Sequence, residues 1–275
     1  MTRKITIGVM VCIVLFSLQG CKPRGFDADF KAAEAAVGIG DNDGALNAYR
    51  AVVDRYPADP RRCGVLLKIA DIYDTSLHDD ISAARAYARV IKEYPLSDVS
   101  VPARERHALL MEKKGDFDGE IEDYSDLLKH FPESPDRYRY RVLMAGAYLS
   151  QRNFGQARME IKPLLDDRQI PPEVREQALF VAGESFFLED HPEKAAPYYQ
   201  QMLREFPNSK LASEAELHFA TCAEEMGYLG TARDITRDAA RDYPNKKVID
   251  AKLKSIKERA TKHAEPAPPA GQKKP

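Results

Sequence analysis

Five aromatic-proline pairs recur along the chain, Tyr56-Pro57, Tyr94-Pro95, Phe131-Pro132, Phe206-Pro207 and Tyr243-Pro244, with Ile170-Pro171 filling the one gap between them. Successive prolines stand 38, 37, 39, 36 and 37 residues apart. Such a step makes the chain a tandem array of one structural unit rather than a pair of unrelated domains. Two rows of mostly small residues keep the same step. The first is Ala33, Ala70, Ala108, Ala145, Gly183 and Ala220; the second is Ala45, Ala83, Glu120, Ala157, Ala195 and Ala232.

Each unit reads as a helical hairpin. First helices carry apolar residues at helical spacing, as in Val65, Leu66, Ile69, Ile72 and Tyr73, or Leu143, Ala147 and Tyr148, and their small residue lets the partner helix approach closely. Turn and cap residues follow, such as Gly115-Asp116-Phe117-Asp118 and Arg152-Asn153-Phe154-Gly155. Second helices present Tyr49, Tyr87, Tyr124 and Tyr199 at one position, replaced by Ile161 and Thr236. The proline then closes the helix, because it lacks an N–H and biases its predecessor away from the helical region. Asp59-Pro60 and Ser134-Pro135 are expected to restart the next helix as cap and first-turn proline.

This pattern resembles the tetratricopeptide repeat: a small residue in the first helix, Ala early in the second, an aromatic four later and a terminal proline. The period exceeds the usual 34 through a longer inter-repeat segment. The resemblance implies an all-α, right-handed solenoid of about six helical hairpins over 26–244, with a capping helix over 245–262 bearing Val248, Ile249, Leu253 and Ile256, and a Pro/Ala/Lys tail over 263–275 too poor in apolar residues to fold. Inter-repeat segments such as 206–215 look like those of bacterial outer-membrane lipoproteins of the BamD and CpoB types. That implies an interaction scaffold in outer-membrane protein assembly, or alternatively a division- or peptidoglycan-linked accessory factor.

Arg3 and Lys4 precede an apolar run, Ile5 to Phe16, too short to span a bilayer, which needs about 20 helical residues. The segment 1–20 reads as a signal peptide. Leu18-Gln19-Gly20-Cys21 resembles a lipobox, implying cleavage before Cys21, lipidation of its sulfur and a short tether over 21–25. Lys22, rather than an acidic residue, follows, which implies the periplasmic face of the outer membrane. The formal charge of -2 becomes -4 once Arg3 and Lys4 are removed, a balance that disfavours nucleic acid as a partner. Cys63 and Cys222 then remain, four repeats apart, and are expected as free thiols acting as small buried hydrophobes.

Residues for catalysis are sparse. The sequence lacks G-x-S-x-G, H-E-x-x-H, Walker and C-x-x-C motifs, and Gly38-x-Gly40 with Gly44 lies in a helix-to-helix turn. His78, His107, His130, His191, His218 and His263 are never three or four residues apart, so neither an enzyme, a cofactor nor a metal site is expected. The expected partners are proteins or peptides, bound on the face made by the first helices. Its inward positions are Phe30, Glu34, Leu67, Asp71, Asp74, Glu105, Leu109, Glu112, Val142, Leu149, Phe180, Glu184, Phe187, Leu217 and Glu224. Apolar anchors alternate there with carboxylates, a character that suits a segment carrying apolar residues flanked by Lys or Arg.

Overall fold

The computed structural model describes residues 25–167 and 169–263; the expected signal segment, Cys21 and the tail from 264 onward lie outside the described residues. Among the described residues there are thirteen α-helices, one π-helical turn and no strand. The chain divides into two compact units, Met1–His78 and Asp79–Pro275. The first holds α1 (Phe26–Gly38), α2 (Asn42–Arg55) and α3 (Arg62–Asp71), which runs into the π turn Ile72–Ser76. Here α1 packs on α2 and α2 on α3.

The second unit contains α4 (Asp80–Glu93), α5 (Ser100–Lys114), α6 (Phe117–His130), α7 (Arg137–Ser150), α8 (Phe154–Asp166), α9 (Pro172–Phe187), α10 (Pro192–Glu205), α11 (Ala212–Glu225), α12 (Leu229–Ala239) and α13 (Lys246–His263). Each helix packs on the next, and α9 also touches α7 and α11. First helices thus meet first helices across repeats, as stacked hairpins require.

Every turn between first and second helices is built alike. One residue adopts the left-handed conformation: Gly40, His78, Gly115, Arg152, Asp190 and Gly227 in turn, with φ between 51° and 84°. The next residue is the N-cap of the second helix. Asp41, Asp79, Asp116 and Asn153 accept the backbone N–H three residues on, at 2.9, 3.1, 3.2 and 3.4 Å, which satisfies an otherwise orphaned donor. His191 and Tyr228 make no such side-chain bond.

The aromatic-proline turns end α2, α4, α6 and α10 one residue before the aromatic, as the sequence requires. The carbonyls of Tyr56, Tyr94, Phe131 and Phe206 accept the N–H of Asp59, Ser97, Ser134 and Ser209 at 3.0 to 3.2 Å. Those four side chains then accept the N–H two residues further on. That extra turn corrects one expectation. Pro60 and Pro135 lie two residues ahead of α3 and α7, because Asp59 and Ser134 build a turn instead of capping a helix. A second correction concerns α12, which ends at Ala239, well before Tyr243-Pro244.

Both small-residue rows are core. Ala33, Ala70, Ala108, Ala145, Ala220, Ala45, Ala83, Ala157, Ala195 and Ala232 are fully buried. Gly183 is buried against Tyr199, whose ring would lie 2.7 Å from an added Cβ. Ile161 and Leu164 of α8 pack with Val142, Ala145, Val174 and Ala178 of the flanking first helices, and truncating such a side chain to alanine typically costs about 2–5 kcal/mol. The two thiols differ. Cys222 is buried and its pKa is pushed up to about 12 by desolvation, whereas Cys63, expected as a buried hydrophobe, is half-exposed in the first turn of α3 with its Sγ–H aimed at the Pro60 carbonyl, 3.2 Å away. Both are free.

Candidate partner surface on the first helices

In the first unit, Phe30 on α1 stacks on Phe26 and tilts against Tyr49, with ring centroids 5.9 Å away in each case. Glu34, one turn on, accepts the Tyr49 hydroxyl hydrogen and pairs with Lys68 Nζ at 3.1 Å. The tyrosine bond, more than the lysine, holds the Glu34 carboxyl below its ordinary value against the opposing effect of burial. Leu67, Asp71 and Asp74 are half-buried on α3 and its π turn.

The second unit repeats this chemistry with variations. Glu105 on α5 accepts the Tyr140 hydroxyl at 2.9 Å and pairs with Arg139 at 2.6 Å. Glu184 on α9 accepts the Tyr199 hydroxyl and lies 2.5 Å from His218 Nδ1. Phe187 stacks on the His218 ring at 4.7 Å, and Phe180 meets Tyr199 edge-on. These two phenylalanines, expected as groove anchors outside the inter-repeat core, therefore join α9 to α10 and α11. Leu149 is half-buried against the core between α7 and α9, while Leu109 and Glu112 on α5 are exposed.

Three expected groove residues are not offered to a partner. Val142 is 5% exposed because the α7–α9 contact covers it. Leu217, at 9%, packs with Ala239 and with Ile249 of α13. Glu224, at 4%, accepts from Lys252 at 2.6 Å, Ser255 at 3.0 Å and Arg259 at 3.2 Å, all on α13. Burial pushes the Glu224 carboxyl up, but these donors outweigh it and hold it below the ordinary range. The face is also less acidic than its own residues suggest, since cations on following helices meet its carboxylates.

One buried carboxylate lies outside the expected set. Glu120 on α6, a member of the second small-residue row, is 3% exposed, and its Oε2 has no hydrogen-bond partner. Desolvation, and then the charge of Glu112, push its pKa up to about 7. It lines a cavity of 420 Å³ with Glu112, Leu143, Gly146, Phe180 and Val181. The signal that locates it is a glutamate standing in a row of alanines. A second cavity, of 410 Å³, is bordered by Arg158 and Arg175, which pair with Glu189 and Glu205 at 2.9 and 2.8 Å. Among the described residues, no three His, Cys, Asp or Glu side chains converge as a metal-holding group, and no helix is long and apolar enough to cross a membrane.

The tetratricopeptide-repeat family matches the chain over residues 27–59 and 65–97, and again over 142–210. Solved structures with the same fold include BtubC from P. vanneervenii (TM-score 0.57, 16% identity, covering 88% of this chain and 97% of that one). A tetratricopeptide repeat protein from Parabacteroides merdae superimposes with TM-score 0.55 at 14% identity, covering 84% and 98%. PilW, a type IV pilus biogenesis factor, gives 0.55 at 15%, covering 84% and 97%. No curated protein matches the chain in sequence. The repeat match and the shared hairpin architecture together make the chain a tetratricopeptide-repeat protein.

Proposed function

We propose that the chain is a non-enzymatic scaffold, held by a lipid on Cys21 at the periplasmic face of the outer membrane, that gathers protein partners on its first helices, in outer-membrane protein assembly after the manner of BamD. Tetratricopeptide repeats are protein-interaction modules, which gives the reading its class. The observation that carries it is the stretch around α5, where Leu109 is 53% exposed beside the exposed Glu112 and the cavity of Glu120. An exposed leucine next to a carboxylate-lined apolar cavity has the makeup of a recognition surface. The anchor rests on Leu18-x-Gly20-Cys21 at the end of the apolar run, and the membrane on Lys22.

A photo-crosslinking residue placed at Leu109, or at the exposed Met159 on α8 as reference, tests this in the native envelope. The expected result is a discrete crosslinked protein from Leu109 and none from Met159, identified by mass spectrometry as an outer-membrane assembly component. Crosslinks from Met159 alone, or equal yields from both, would move the binding face to the second helices; a division or cell-wall protein at Leu109 would overturn the assembly role.

A further inference from the structure

The residue after the small one in each first helix sets the local electrostatics of the face. In α1 and α9 it is Glu34 and Glu184; each takes a hydrogen bond from a second-helix tyrosine and meets Lys68 or His218, 34 residues on. In α5 and α7 the same position holds Leu109 and Gly146, and 34 residues on stand Leu143 and Phe180. The basic partner that Glu34 and Glu184 meet is therefore missing here. Two carboxylates are nonetheless present: Glu112, one turn along α5, and Glu120, where the other five units carry alanine.

Glu120 is 3% exposed, leaves Oε2 without a partner and lines the 420 Å³ cavity, none of whose lining residues carries a positive charge. Gly146 borders this cavity on open space, where an added Cβ would meet no atom within 4 Å. Leu143, Phe180 and Val181 supply apolar walls. A buried, unpaired carboxylate in a position where alanine serves elsewhere lowers stability with no structural return, the pattern of a residue kept for a ligand.

We propose that this cavity receives the ammonium group of a lysine side chain presented by a partner polypeptide, with Glu120 as its buried counter-ion and Glu112 at the rim. The proposal rests on the scaffold reading above and names the chemistry its partner brings. The apolar walls suit the four-methylene stem, and the compact ammonium reaches one orphaned oxygen. A guanidinium would turn several of its five donors toward leucine, valine and phenylalanine. The molecule contains its own instance of the contact. Glu224 stands four residues after the small residue of α11, as Glu112 does in α5, and it pairs with the half-buried Lys252, at 2.6 Å, and with the more exposed Arg259 at 3.2 Å.

The probe is the pentapeptide acetyl-Ala-Leu-Lys-Leu-Ala-amide, compared with twins carrying norleucine or arginine in place of lysine. Each is titrated into the methyl-labelled full-length protein in detergent micelles. The lysine peptide is expected to shift the Val142, Leu143 and Val181 methyls saturably and to bind about tenfold more tightly than either twin. Glu120→Ala, which restores the residue of the other repeats, and Glu120→Gln, which keeps the shape, should both erase that preference while the remaining methyl spectrum stays folded. Equal or weaker binding of the lysine peptide, a preference that survives both variants, or shifts confined to other methyls would overturn the proposal. If Leu109 still crosslinks a partner in that case, only the lysine site falls; loss of both results removes the scaffold reading as well.

Discussion

Glu120 makes the stability of the fold depend on pH in a direction opposite to that of a salt-bridged carboxylate. Its pKa rises from 4.5 to about 7 in the folded protein. Between those values the native state holds a proton that the unfolded chain has released, so stability is highest on the acid side and falls as pH climbs through 7. At about 1.4 kcal/mol per unit the loss is on the order of 3 kcal/mol. Urea denaturation at pH 5 and pH 8 should show this decline, and Glu120→Ala should flatten it; an unchanged slope in the variant would assign the effect to another group. Two glycines give a sharper contrast. Gly183→Ala drives a methyl into the Tyr199 ring, which Phe180, Phe187 and His218 hold in place, so a net loss of about 1–2 kcal/mol is expected after the gain in helix propensity. Gly146→Ala meets open space and should stabilise α7 by about 0.5–1 kcal/mol. Melting temperatures that move in the same direction for both would contradict this packing. Of these residues the sequence exposes Gly183, as a member of the small row. It hides the consequence of Glu120, because a glutamate at a helix start ordinarily reads as a solvated cap.

At the scale of the element, the fold is specified by its turns. Each passage from first to second helix needs one left-handed residue, and three of the six are not glycine: His78, Arg152 and Asp190. Where glycine does stand, as at Gly115 with φ 73°, an added Cβ finds no neighbour within 4 Å, so the cost of Gly115→Ala is backbone strain alone, about 1–2 kcal/mol. Asp116→Ala, one residue on, removes the cap on Gly119 N–H and should cost about 1 kcal/mol. Both losses should appear as lower denaturation midpoints with unchanged m-values; a changed m-value would mean that α6 frays instead. These turns also show why some boundaries were legible and others not. The aromatic-proline pair marks the ends of α2, α4, α6 and α10 because proline itself forbids continuation. The starts of α3 and α7 fall two residues later than Asp59-Pro60 and Ser134-Pro135 suggest, since a side chain that can cap a helix can equally close a turn. Likewise the burial of Leu217 and Glu224 depends on where α13 lies, which the periodicity of α11 does not encode.

For the whole molecule, the proposed anchor and the repeats occupy separate stretches of the chain, and that separation is testable. The described fold starts with Phe26, which is buried against Tyr56 and Arg61, while Cys21 lies five residues upstream. The intervening Lys22-Pro23-Arg24-Gly25 can span at most about 14 Å, so a lipid on Cys21 would hold the first hairpin close to the bilayer without entering its core. Removing that lipid should therefore change where the protein resides and leave its stability alone. Cys21→Ala is expected to abolish incorporation of labelled palmitate and to leave the signal segment uncleaved at that site. Replacing residues 1–20 with an ordinary cleavable secretion signal in the same variant should release a soluble periplasmic protein. Its circular dichroism and melting temperature should match the parent, and its lysine-peptide titration should be unchanged. Palmitate retained in the variant would place acylation elsewhere. A lowered melting temperature in the released protein would show that residues ahead of Phe26 contribute to the first hairpin, and would make the tether a structural part of the repeat array.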